Sequence, residues 1–264
     1  MSRLLAAAVA GLLLLVACGS SGGDSDLQAV AGAIREVETK GAGFTFTETL
    51  SQTGGDIPKG KMAQIKFTAS GQERDDNAVL VLQLANSGGQ AAGAYDVMIS
   101  DSDLYVRPHG TTRAWFQGPA SVANHFYPGV RLNLLRETVL LATKVSKTTS
   151  YSSGSFSDQY TVTPGSDQLE QLQSTVVGAA EETKFLKSAT SSITLYLSTS
   201  GHHLQRVDLK VSGTDPQTSL KQVFTSSLTF NKVGKVATPK APAAAIAVQP
   251  ADLFSTADTP PSQG

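Results

Sequence analysis

Between residues 44 and 116, and again between 193 and 230, apolar side chains recur at every second position with polar ones between them. Phe44, Phe46 and Leu50 alternate with Thr45, Thr47 and Thr49, and Ala63, Ile65, Phe67 and Ala69 alternate with Gln64, Lys66 and Thr68. A period of two puts one set on each face of a pleated strand, so these segments predict half-buried β-strands. Gly54-Gly55-Asp56 with Pro58 and Gly60 supplies the loop between the first two. Val79 to Leu84 is apolar at nearly every position, which predicts a strand covered on both faces. Tyr95, Val97 and Ile99 follow, then a turn at Asp101-Ser102-Asp103, and the meander is expected to end around Trp115-Phe116. Ile193, Leu195 and Leu197, then Val207, Leu209 and Val211, then Phe224, Leu228 and Phe230 predict three closing strands. So many one-sided strands need something apolar to lie against.

Helical periods supply it. Ser25 with Gln28 reads as a capping box, and Leu27, Val30, Ile34 and Val37 make one apolar stripe that stops at Gly41. After Pro128, Leu132, Leu135, Val139 and Ala142 form a second stripe, widened by Leu134, Leu141 and Val145. A polar Ser/Thr stretch from Ser146 to Ser155 leads to a short strand at Phe156 to Thr163. Asp167 and Glu170 then open a further helix with the stripe Leu169, Leu172, Val176, Ala179 and Ala180. Beyond Gly234 the sequence turns to Pro and Ala without alternation, and residues 235–264 read as a largely extended or disordered tail. Antiparallel strands with helices gathered on one face define an α+β domain over residues 24–234.

The start of the chain speaks to location. Residues 1–17 have the layout of a secretory signal peptide: Arg3, then an apolar run too short to span a bilayer. Leu15, Val16, Ala17 and Cys18 resemble a bacterial lipobox, in which the cysteine receives a diacylglycerol and becomes the first residue of the mature chain. Cys18 and the Gly/Ser tether to Gly23 would hold the domain on the extracytoplasmic side of the cell membrane. Cys18 is the only cysteine, so acylating it leaves no thiol for a disulfide, a zinc site or a nucleophile. A net charge of -1 gives no footprint for nucleic acid.

Catalytic constellations are hard to assemble from this chain. His202 and His203 are adjacent, so on a strand they point apart, and His109 and His125 have no second ligand at metal-site spacing. Asp75-Asp76 and Asp101-Ser102-Asp103 lack the spacing of a calcium loop and read as turn residues bonding their own backbone. Neither a nucleophile elbow nor a phosphate loop is present. The expectation is a non-enzymatic protein with no cofactor and no metal.

Lipobox, tether, one amphipathic helix, long antiparallel strands with a helical insertion, and the hairpin Ile193–Leu197 to Leu204–Leu209 together resemble the LppX/LprAFG lipoproteins of actinobacteria, which in turn resemble the LolA and LolB carriers. Asp101 to Val106 ahead of Trp115 is similar to that group's strand-turn-strand segment. The resemblance covers about residues 24–232. It implies a curved antiparallel sheet, a half-barrel, wrapped over a few helices, with a hydrophobic cavity for acyl chains between them. On that reading the pocket candidates are Phe44, Phe46, Ile65, Phe67, Leu82, Val97, Ile99, Leu132, Leu135, Val139, Leu195 and Leu209. Periodicity alone does not separate a packed core from a lined pocket, so both stay open at this point. The leading expectation is an anchored lipoprotein that binds a lipid or lipoglycan for transport or envelope assembly. The alternative is an envelope interaction or regulatory module with a filled core that binds a protein partner.

Overall fold

The computed structural model describes residues 23–75, 77–86, 91–100, 102–120, 132–142, 144–152, 155–164, 189–215 and 218–254. They form one open sheet of twelve strands with two helices, a curved α+β arrangement. The first helix, α1 (Gly23–Lys40), leads into β1 (Ala42–Thr53), β2 (Ala63–Arg74), β3 (Asn77–Asn86), β4 (Ala91–Ser100), β5 (Asp103–Pro108) and β6 (Trp115–Pro119). After α2 (Leu132–Leu140) come β7 (Lys144–Ser152), β8 (Ser155–Thr163), β9 (Thr190–Ser198), β10 (Leu204–Thr214), β11 (Lys221–Asn231) and the short β12 (Ala245–Ala247). Spatial order is β12-β6-β5-β4-β3-β2-β1-β11-β10-β9-β8-β7. Two consecutive meanders are thus joined through β1 and β11, and every pairing is antiparallel except β12 on β6.

Register carries the alternation from strand to strand. Phe46 stands opposite Ala69 on β2 and Leu228 on β11, and Ala69 in turn opposite Leu82. All four are buried on the inner face, whereas Thr45 and Thr47 on the other phase of β1 are exposed. Val30, Ile34 and Val37 of α1 and Leu132, Leu135 and Val139 of α2 join the same core. Arg136 of α2 lies 3.2 Å from the Glu38 carboxylate of α1, tying the two helices together at the surface.

Gly41 fixes the turn from α1 into the sheet. Its φ is +73°, its amide donates to the Val37 carbonyl at 2.8 Å, and a Cβ there would lie 2.7 Å from both Arg74 Cβ and Val236 Cγ2. Gly41→Ala is expected to cost about 1 to 3 kcal/mol, read as a lower urea midpoint, because left-handed backbone and crowding act together.

Five expectations change. α1 begins at Gly23, so Ser25 lies inside the helix and not at its N-cap. α2 ends at Leu140, and Val145 of the expected stripe belongs to β7. The Ser/Thr stretch from Ser146 is strand, not connection: Lys144–Ser152 pairs along its whole length with β8. As the last strand of the sheet it faces water widely, so no apolar alternation marks it. Val79–Leu84 is only half as expected, since Leu80 and Leu82 are buried while Val79 and Val81 are part-exposed on the outer face. Residues 235–254 are not a loose tail. Val236 is buried and its carbonyl accepts from Arg74 Nη1 at 3.1 Å, Thr238 donates to Asp75 at 3.1 Å, and Ala245–Ala247 adds a parallel strand to β6. Leu253 is fully buried and Phe254 meets the Tyr95 ring edge-on at 5.1 Å, so the segment passes from the sheet edge onto the inner face. Placing one Val, one Leu and one Phe outweighs a Pro/Ala composition that shows no period. The further helix expected after Asp167 lies outside the described residues.

Candidate lipid-binding face

The inner face can be followed level by level along β1. At the level of Phe46 the row across the sheet is closed: Leu82, Tyr95, Leu195 and Tyr160 are buried, and they take part in one continuous core with both helices. Two residues on, Glu48 stands between Phe67 of β2 and Ser226 of β11. Two further, Leu50 stands between Ile65 and Phe224. Coverage falls off on the β2 side of these rows. Phe67 and Leu50 are part-exposed, Ile65 is 45% exposed, and Met62 in the preceding loop is 52% exposed. On the other side Val211 and Phe224 form a small separate apolar cluster with Ala189 and Leu209. The face therefore stays apolar past the ground that α1 covers.

By register, the strand candidates Phe44, Phe46, Ile65, Phe67, Leu82, Val97, Ile99, Leu195 and Leu209 share this inner face. Phe44, Phe46, Leu82, Val97 and Leu195 are packed shut in the core, as are Leu132, Leu135 and Val139 from α2. Ile65, Phe67, Ile99 and Leu209 keep some exposure. Leu15, Val16, Ala17 and Cys18 lie outside the described residues. Because Val139 is fully buried, Val139→Trp is expected to overpack its site and destabilise by about 1 to 3 kcal/mol in denaturant titration, where a roomy pocket would absorb the ring.

Glu48 was not singled out by the sequence reading. It is 6% exposed, its Oε2 is buried without a hydrogen-bond partner, and burial pushes its pKa up to about 8. It is thus mainly a neutral acid at pH 7, on a face that is apolar around it apart from Ser226. The signal was present: between Phe44, Phe46 and Leu50 the inward position is occupied by an acid.

A cleft of about 440 Å³ lies on the opposite face, lined by Val79, Val81, Asp96, Arg107, Trp115 and Val236 among others. Its Asp96 and Arg107 satisfy each other. Arg107 donates to Asp96 at 2.9 Å and sits 4.4 Å over the Trp115 ring, while His109 is 2.6 Å from the other Asp96 oxygen. Burial would raise the Asp96 pKa, but the His109 and Arg107 hydrogen bonds prevail and hold it low. His203 likewise pairs with Glu36 at 2.7 Å. Among the described residues no three metal-ligating side chains come together, and no helix is long and apolar enough to cross a membrane.

Comparison with known proteins adds structural neighbours alone. No family model matches the chain, and no curated protein does. Solved structures do match. The chain is similar to LprF from Mycobacterium bovis. That alignment covers 85% of this chain and 99% of LprF, at 14% identity and a TM-score of 0.45. A LolA superfamily protein from Nitrosomonas europaea matches over 78% of this chain and 94% of its own at 8% identity and a TM-score of 0.29. A DUF1329 family protein from Desulfovibrio piger matches over 80% and 95% at 12% identity and 0.29.

Proposed function

We propose that this chain is a non-enzymatic cell-envelope lipoprotein, anchored through Cys18 on the extracytoplasmic side, that takes the acyl chains of a lipid or lipoglycan against the inner face of its sheet, for transport or envelope assembly. The observation that supports this reading is the apolar rim at Leu50, Ile65 and Met62, where the inner face continues beyond its helical cover. Hydrophobic burial is the mechanism. Each methylene withdrawn from water contributes about 0.8 kcal/mol, so a partly enclosed chain is held without hydrogen bonds. Acyl chains suit a surface that is mainly Leu, Ile and Phe.

The alternative, a module with a filled core that binds a protein partner, draws support from the closed rows around Phe46 and Leu82. Native mass spectrometry with lipid extraction on the domain from Asp24 to Gly264 separates the two. The carrier reading expects a discrete added mass that extracts as lipid. A bare mass that persists after incubation with envelope lipids would sink it in favour of the module. For the anchor, labelled palmitate is expected to enter the wild-type chain and not Cys18→Ser; equal labelling of both would place the acyl group elsewhere.

A further inference from the structure

We propose that Glu48 is the polar recognition point of this lipid site, its carboxyl donating a hydrogen bond to the ester carbonyl of an acylglycerol. This rests on the carrier reading above. Four observations lead to it. Glu48 is carried on the inner phase of β1, with Phe46 and Leu50 on either side of it along the strand, Phe67 beside it on β2 and Ser226 beside it on β11. It is more than nine-tenths buried, and Oε2 has no partner among the described residues. It lies two residues, about 7 Å, inside the rim at Leu50 and Ile65. Both flanks of its row, Phe67 and Leu209, remain part-exposed, so a ligand entering at the rim reaches Glu48 before it reaches the closed core.

A buried carboxyl oxygen with no partner, among mainly apolar side chains, is costly, and a core under selection for packing alone would carry Leu in its place. The chemistry of the group selects the ligand. A protonated carboxyl has one O–H to give. An ester carbonyl accepts and carries no charge, so it can be paired there without bringing an ion out of water. A phosphate would set an anion beside an acid, and a bare alkyl chain would leave the O–H as it is. The elevated pKa of Glu48 is consistent with a donor that keeps its proton at neutral pH. Because the row at Phe46 is closed, the acyl chain of an ester paired with Glu48 would lie back along Phe67, Ile65 and Leu50, the part-exposed side of the face, and not deeper.

The test uses the full acylated chain in vesicles of phosphatidylcholine. These are doped with a glycerophospholipid bearing a terminal photoreactive group, either as the diacyl ester or as its dialkyl ether, which lacks only the carbonyls. After irradiation, adducts are quantified on peptides spanning residues 44–67. Wild type is expected to capture the ester about tenfold better than the ether, the size of one buried hydrogen bond. Glu48→Gln, which keeps a donor, should retain most of that preference. Glu48→Leu should lose it while capturing the ether as before, and since it replaces a buried acid with an apolar side chain it is expected to fold. Equal capture of ester and ether by wild type, or an undiminished preference in Glu48→Leu, overturns the role of Glu48 and leaves the carrier reading standing. Absence of adducts on these peptides with both probes would overturn the carrier reading itself.

Discussion

Ending the chain at Gly234 is expected to lower its melting temperature by about 10 °C and to make it self-associate. Two separate losses produce this. The first is apolar: Leu253 is fully buried, and removing even its side chain alone, as in Leu253→Ala, should cost about 2 to 5 kcal/mol. For a domain of this size each kcal/mol moves the melting temperature by about 2 to 4 °C. Phe254 on Tyr95 and Val236 beside Gly41 are lost as well in the truncated chain. The second loss is of pairing. Ala245–Ala247 lies parallel on Trp115–Gln117, and the Val248 amide donates to the Gln117 carbonyl at 3.0 Å. Without them β6 offers bare N–H and C=O groups to any other strand. Circular dichroism against temperature measures the first effect, and sedimentation velocity the second. A truncated chain that melted with wild type and stayed monomeric would show that residues 235–254 do not contribute to holding the sheet.

The second large effect is a stability that falls as pH rises. The Glu48 pKa is pushed up to about 8 in the folded protein, from an ordinary value of 4.5, by burial alone. Between those two values the folded state holds a proton that the unfolded state releases, so unfolding is favoured progressively as pH rises from about 4.5 to about 8, and the loss is complete above that. A gap of this width corresponds to about 5 kcal/mol, and water reaching the open side of the row reduces it, so about 2 to 5 kcal/mol is expected. Urea titrations at pH 5 and pH 9 measure it directly. Glu48→Gln should remove most of the difference by being more stable than wild type at pH 9. Equal pH dependence in the two proteins would mean that Glu48 is solvated or paired in solution. Asp96 behaves oppositely: its lowered pKa adds stability at neutral pH that is lost as pH falls through its folded value.

Much of the fold was legible because the inner face is written with period two. Phe44 and Phe46, Val97 and Ile99, and Leu195 and Leu197 each announce a phase, and pairing brings those phases onto one side. The stop of α1 was legible from Gly41, since a left-handed residue ends a helix. β7 was hidden for a physical reason: at the end of the sheet most of its Ser, Thr and Lys side chains meet water, so nothing requires alternation. The closing segment was hidden because its hold depends on widely spaced residues, Val236, Leu253 and Phe254, and on backbone groups of β6 that no sequence pattern records. At the candidate site, the apolar residues were found by their period, whereas Glu48 was passed over as the gap in that period. In a half-barrel, an acid in an apolar phase is as informative as the phase itself.

The two ends of the sheet are treated differently. β7 is left bare but is built of Lys, Ser and Thr, while β6, with Trp115 and Phe116, is capped by the chain's own last strand. On the anchoring proposed above, molecules of this chain would meet in two dimensions, with few orientations open to them and at high local density. Under that crowding an uncapped aromatic rim would let neighbours zip side by side into rows, whereas the chain's own closing segment keeps Trp115–Gln117 paired and leaves only the three-residue β12 at that end.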